Sequence, residues 1–134
     1  MRSRARALLA VAVFAVLVVT LWPGHLVPPE NVNLVPFAGI VDEAVNVRAP
    51  IGVLNNAGNV LLFVPLGFLA AFATRRRAAI VPVLAGFSAA IETAQYFVGR
   101  SADVDDVLLN TLGSALGVAV AVAAAVRSRA KQRA

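Results

Sequence analysis

Four stretches of the chain, 7–22, 59–74, 78–98 and 107–126, are built almost wholly of apolar residues. A helix rises 1.5 Å per residue, and roughly 20 apolar residues cross about 30 Å of hydrocarbon, so each stretch is expected to be a membrane-spanning helix. The first two are short for this task. Trp22 suits a membrane interface, and Ile51, Val53 and Leu54 can lengthen the second span toward its start. Between them, residues 23–58 form a less apolar connection carrying Pro23, Pro28, Pro29, Pro36 and Pro50. Within it, Phe37, Ile40, Val41, Ala44 and Val45 recur at helical spacing, with Asp42, Glu43 and Asn46 opposite. That pattern predicts a short amphipathic helix lying on the outer membrane surface or folded over the bundle mouth. Pro36 fits its first turn, and Asn33 or a neighbour is expected to help cap it. Pro65 and Gly67 interrupt the second span, where the proline removes a backbone hydrogen bond and predicts a bend.

Composition supports the same solvent. The 134 residues are 60% hydrophobic and 14% charged, with a mean hydropathy of +0.81, whereas a soluble domain is about 45–50% apolar and about 25% charged. So short a chain could not enclose that much aliphatic surface in a water-soluble core. The formal charge of +5 does not mark a nucleic-acid-binding face, because the cations stand in short clusters between apolar runs. Arg2, Arg4 and Arg6 precede the first span. Arg75, Arg76 and Arg77 separate the second from the third, and Arg127, Arg129, Lys131 and Arg133 follow the fourth. Glu30, Asp42, Glu43, Asp103, Asp105 and Asp106 fall on the opposite side, together with Arg48 and Arg100. The positive-inside rule then makes both termini cytoplasmic. The basic start could be that of a signal peptide, but no convincing small-x-small site precedes Pro23, so the first span is expected to stay as an anchor. The chain is expected to be one all-α domain over residues 1–134, an integral membrane bundle of four helices with a basic tail at 127–134. Cysteine is absent and His25, an expected interfacial loop residue, is the single histidine, so thiol chemistry and Cys-type metal sites are excluded.

The chemistry that remains lies in polar residues inside the spans. Glu92 is the most informative, since a charged carboxylate at mid-membrane costs about 2.5–3.5 kcal/mol on insertion scales. Ser88, Glu92 and Gln95 share one face of the third span, with Tyr96 a turn beyond Glu92. Asp106, Asn110, Gly113 and Gly117 form a similar stripe on the fourth, where Gly113 and Gly117 make a GxxxG that permits close helix contact. Asn55 and Asn59 share a face of the second. Glu92, Asn59 and Asn110 all fall in the outer half of the membrane, which predicts an outward-facing polar pocket walled by spans two, three and four. The competing account is a buried hydrogen-bond cluster that only fixes helix packing. Asp103, Asp105 and Asp106 in the turn between spans three and four are candidate oxygen ligands for Mg²⁺ or Ca²⁺, although Asp103 or Asp105 could equally cap the helix that follows. Arg100 is expected to pair with one of these carboxylates or Glu92, or to hold a ligand anion.

Several blocks in order carry a family resemblance. They are Asn33-Leu34-Val35-Pro36-Phe37, then Gly58-Asn59-Val60-Leu61-Leu62-Phe63-Val64-Pro65-Leu66-Gly67-Phe68, then Ser88, Ile91-Glu92 and Gln95. The last is Gly99-Arg100-Ser101 through Asp103-Val104-Asp105-Asp106 to Asn110-Thr111-Leu112-Gly113. The chain resembles the VanZ-like family of small bacterial membrane proteins, named for a member associated with teicoplanin resistance. The departure is Ala38-Gly39 after Phe37, where family members include a basic or polar residue. The resemblance implies a multi-pass protein of the bacterial inner membrane and supplies no settled biochemical activity. The leading expectation is a cell-envelope protein that binds a lipid or lipid-linked envelope component through Asn59, Glu92, Gln95, Arg100, Asp105, Asp106 and Asn110, with a link to glycopeptide resistance. The alternatives are an intramembrane enzyme with Glu92 as catalytic acid or base, and a structural partner of another membrane protein or of a second copy through the GxxxG face. No cofactor is expected.

Overall fold

A computed structural model describes residues 2–22, 32–45, 49–98 and 100–132. His25, Glu30, Arg48, Gly99 and Arg133 lie outside them. Five α-helices dominate: α1 (Arg2–Leu21), α2 (Ala38–Val45), α3 (Ala49–Ala73), α4 (Ile80–Phe97) and α5 (Val104–Lys131), with a 3₁₀ turn at Arg77–Ala79 leading into α4. Four helical stretches, Arg2–Leu21, Pro50–Ala73, Arg77–Phe97 and Val104–Lys131, are long and apolar enough to cross a membrane. The short helix α2 falls on the segment with the amphipathic spacing. Two two-residue strands, β1 (Val32–Asn33) and β2 (Ala102–Asp103), pair in parallel with Val32 opposite Ala102 and Asn33 opposite Asp103.

The expected spans shift at their ends for identifiable reasons. Helix α3 begins at Ala49 rather than at 59, because Pro50 occupies its first turn, where a missing N–H costs nothing. Asn55 and Asn59 therefore lie inside the helix, and Pro65 sits within it while the helix continues to Ala73. Helix α5 runs on to Lys131, so most of the expected basic tail is its last turns, where cations complement the helix dipole.

Helix α3 is the centre of the bundle, packing on α1, α2, α4 and α5. Phe63 and Leu66 are wholly buried and are joined in one core by Val16, Ala70, Ile80, Leu84, Ile91 and Ala121. Phe14 and Val19 of α1, Leu61 of α3 and Val83 of α4 are exposed, the pattern of surfaces solvated by lipid tails. Between α3 and α5 the backbones approach most closely. A side chain at Gly67 would strike the Ser114 carbonyl, one at Gly113 the Val60 carbonyl and one at Gly117 the Val64 carbonyl. The GxxxG face is thus used within the chain, and a membrane-protein partner would need another surface.

The helices alternate in direction. The N-terminus of α1 lies beside the C-terminus of α3, where Arg6 Nε donates to the Ala73 carbonyl at 3.4 Å. At the other end the C-terminus of α1 meets Gln95 and Arg100, and the N-terminus of α5 meets α2 and α3. Basic clusters and carboxylates consequently sit at opposite ends of the bundle.

Candidate functional site

At the acidic end the polar residues form two connected tiers. The upper tier is organised around the start of α5. Asp103 is its N-cap, in extended conformation, and accepts the Asp105 N–H at 2.8 Å. The same oxygen accepts from Asn33 Nδ2 at 2.9 Å. Asn33 Oδ1 in turn accepts the Val35 N–H at 3.0 Å, closing an Asx turn ahead of α2. Asp105 is 2% exposed. Its two carboxylate oxygens take the Phe37 N–H at 2.5 Å and the Ile40 N–H at 3.1 Å, so α5 supplies the cap for the free amides of α2. Phe37, in the left-handed region at φ 68°, directs its amide to that carboxylate. Glu92 Oε1 accepts the Asp103 N–H at 2.5 Å, and Asn59 Nδ2 donates to Asp106 Oδ1 at 2.5 Å.

The lower tier runs deeper between α4 and α5. Asn110 Nδ2 donates to Ser88 Oγ at 2.9 Å, and Ser114 Oγ donates to the Asn110 carbonyl at 2.9 Å. All three side chains are buried. Among the described residues, Asn110 Oδ1 has no hydrogen-bond donor. On the α1 side, Gln95 Nε2 and Arg100 Nη1 both donate to the Thr20 carbonyl, at 2.9 Å and 3.0 Å, and Arg100 reaches the Trp22 carbonyl at 3.4 Å. Carbonyls at a helix C-terminus lack partners within the helix, and a guanidinium also opposes their partial negative charge.

A family model described as VanZ/LLP1 matches residues 7–125, which takes in every residue of both tiers. The chain belongs to the VanZ/LLP1 family. No curated protein and no solved structure matches it. With four helices suited to spanning a bilayer, this VanZ/LLP1 chain is a multi-pass membrane protein.

Within the VanZ/LLP1 domain, Asn59, Glu92, Asp105, Asp106 and Asn110 gather at the acidic end as their spacing predicts. Gln95 and Arg100 instead turn to α1. The hydrogen bonds of Arg100 go to the backbone carbonyls of Thr20 and Trp22, which no side-chain pattern can reveal. Asn33 does not cap α2 directly, since Asp105 takes that place across 68 residues of sequence. Asp103 and Asp105 are occupied by N–H donors, and among the described residues no group of three metal-binding side chains is arranged to hold an ion. Sequence reasoning passed over Thr20 and Ser114, and met Gly39 only as part of the departure from the family pattern. Ser114 had a signal, one helical turn beyond Asn110. Gly39 is explained by its surroundings, because a Cβ there would lie 2.6 Å from Asp103 Oδ2 and 3.1 Å from Asp105 Oδ2.

Proposed function

We propose that this VanZ/LLP1 protein resides in the bacterial inner membrane and binds a lipid or lipid-linked envelope component at its acidic end, which the positive-inside rule turns outward. The observation that carries this reading is Asn110 Oδ1, a buried acceptor without a donor among the described residues. An unmet polar group in hydrocarbon costs several kcal/mol, so a hydroxyl or amide N–H of a ligand entering between α4 and α5 gains what the protein leaves unmet. Asn59, Glu92, Asp105 and Asp106 stand above it as the polar entrance, and the exposed apolar faces of the helices suit the ligand's chain. Gln95 and Arg100 hold α1 beside this entrance.

Native mass spectrometry of the gently extracted protein tests the reading. The wild type is expected to retain a hydroxyl- or amide-bearing envelope lipid that Asn110→Leu loses with helix content unchanged. Equal retention by both proteins overturns it. A link to glycopeptide resistance would follow from such binding and predicts lower teicoplanin susceptibility on expression of the wild type but not of Asn110→Leu.

A second reading makes Glu92 the acid or base of an intramembrane enzyme. It draws support from the position of Glu92, a buried carboxylate of α4 that accepts the Asp103 N–H. Turnover of envelope lipids that disappears in Glu92→Gln, with lipid retention intact, would favour it over simple binding.

A further inference from the structure

The basic end holds a feature that the acidic-end reading does not use. A cavity of about 600 Å³ opens between α1, the end of α3 and the start of α4, within the roughly 300–1,000 Å³ typical of ligand sites. Its walls include Leu9 and Val13 of α1, Ala73 of α3, and Leu84 and Phe87 of α4. Arg6, Thr74 and Arg76 are its polar lining residues, and both arginines are exposed. The rim is fixed by its own bonds: Arg6 Nε is tied to the Ala73 carbonyl, and the Arg76 N–H is held by Thr74 Oγ1 at 3.2 Å.

An apolar cleft crowned by two guanidinium groups is complementary to an amphiphile with an anionic head. The charge of the chain makes the match one-sided. No Asp or Glu occurs between residues 44 and 91 or after 106, and none precedes residue 30. Arg6 and Arg76 therefore have no Asp or Glu of their own chain nearby in sequence, which suits them to an anionic group from outside it. Arginine also suits a phosphate oxygen pair better than lysine does. We infer that this cleft is a binding site for an anionic phospholipid of the adjoining leaflet, with an acyl chain between α1 and α4 and the phosphate between Arg6 and Arg76.

Titration of the detergent-solubilised full chain with dioleoyl phosphatidylglycerol or dioleoyl phosphatidylcholine, read by native mass spectrometry, tests the site. Tight binding of one phosphatidylglycerol is expected, with phosphatidylcholine much weaker. The double variant Arg6→Ala/Arg76→Ala should weaken the phosphatidylglycerol site roughly thirtyfold, the effect of two interfacial cations facing an anionic lipid. Ala79→Trp, an exposed position on the cavity lining, should block it without a change in charge. Arg127→Ala/Arg129→Ala, which removes as much charge from the same end but away from the cleft, should leave it intact. Equal binding of the two lipids overturns the assignment, as does an equal loss in the two double variants or full binding by Ala79→Trp. Failure of the acidic-end reading would leave these outcomes unchanged, since none of the substituted residues belongs to either polar tier.

Discussion

Asp105 shows how a residue that looks like a metal ligand becomes a structural acceptor. Its sequence position announces a first-turn carboxylate, and the dipole argument for placing it there is correct for α5. Its decisive partners, the Phe37 and Ile40 amides, come from a helix far away in sequence, so the spacing around Asp105 could not disclose them. Charge-assisted hydrogen bonds contribute about 1.5–3 kcal/mol each, and a truncated side chain leaves both donors orphaned. Asp105→Ala is therefore expected to cost about 3 kcal/mol in reversible unfolding from mixed micelles, against a smaller loss for Asp105→Asn, which keeps one acceptor. Arg100→Ala is expected to cost about 1–2 kcal/mol by removing one of the two donors to the Thr20 carbonyl and the contact with the Trp22 carbonyl. A mass-spectrometric lipid loss in that variant would therefore report a loosened α1 as well as any ligand contact. Glu92, Asn59 and Asn110 were legible because a polar side chain within an apolar span must be compensated. Their individual partners were not, because depth and facing are set by how the helices cross.

At the scale of the helices, small residues decide which pair packs tightly. The sequence exposes Gly113 and Gly117 as a contact stripe, but cannot say whether the opposing surface belongs to this chain or another. The answer, α3, depends on Gly67 and on the carbonyls of Val60 and Val64 lying opposite. A methyl group at Gly113 would have to displace backbone, and overpacking of this kind costs about 1–3 kcal/mol. Gly86 is also helical, yet a Cβ there meets nothing within 4 Å. Gly113→Ala should consequently lower the free energy of unfolding, whereas Gly86→Ala should leave it unchanged or raise it by up to about 1 kcal/mol from helix propensity. Equal effects at the two positions would contradict the close α3–α5 approach. The early start of α3 was hidden for a related reason. Ile51, Val53 and Leu54 allowed the span to lengthen toward its start, but the prolines around this segment made Pro50 read as part of the connection until α2 and α5 pack alongside α3.

Across the whole molecule, charge is sorted so completely that one end is cationic and the other carries the carboxylates. The four spans and this polarity were legible because membrane insertion acts on composition directly. The sequence contains no cysteine, so single thiols report orientation without background. Leu34→Cys is expected to react with a membrane-impermeant maleimide in intact cells, and Ser128→Cys only after lysis; the reverse pattern would turn the bundle over. The parallel pairing of Val32–Asn33 with Ala102–Asp103 also sets a schedule for biosynthesis. At about 5–20 residues per second, synthesis needs roughly 4–14 s to bring Asp103 and Asp105 out after Asn33. Throughout that interval the first turn of α2 lacks its acceptor. A nascent chain halted after Phe97 should be cut readily by added protease near Pro36, and the full-length chain should resist. Closure of the outer segment thus waits on the start of α5, because the acceptors that hold α2 exist only once Asp103 and Asp105 have left the ribosome.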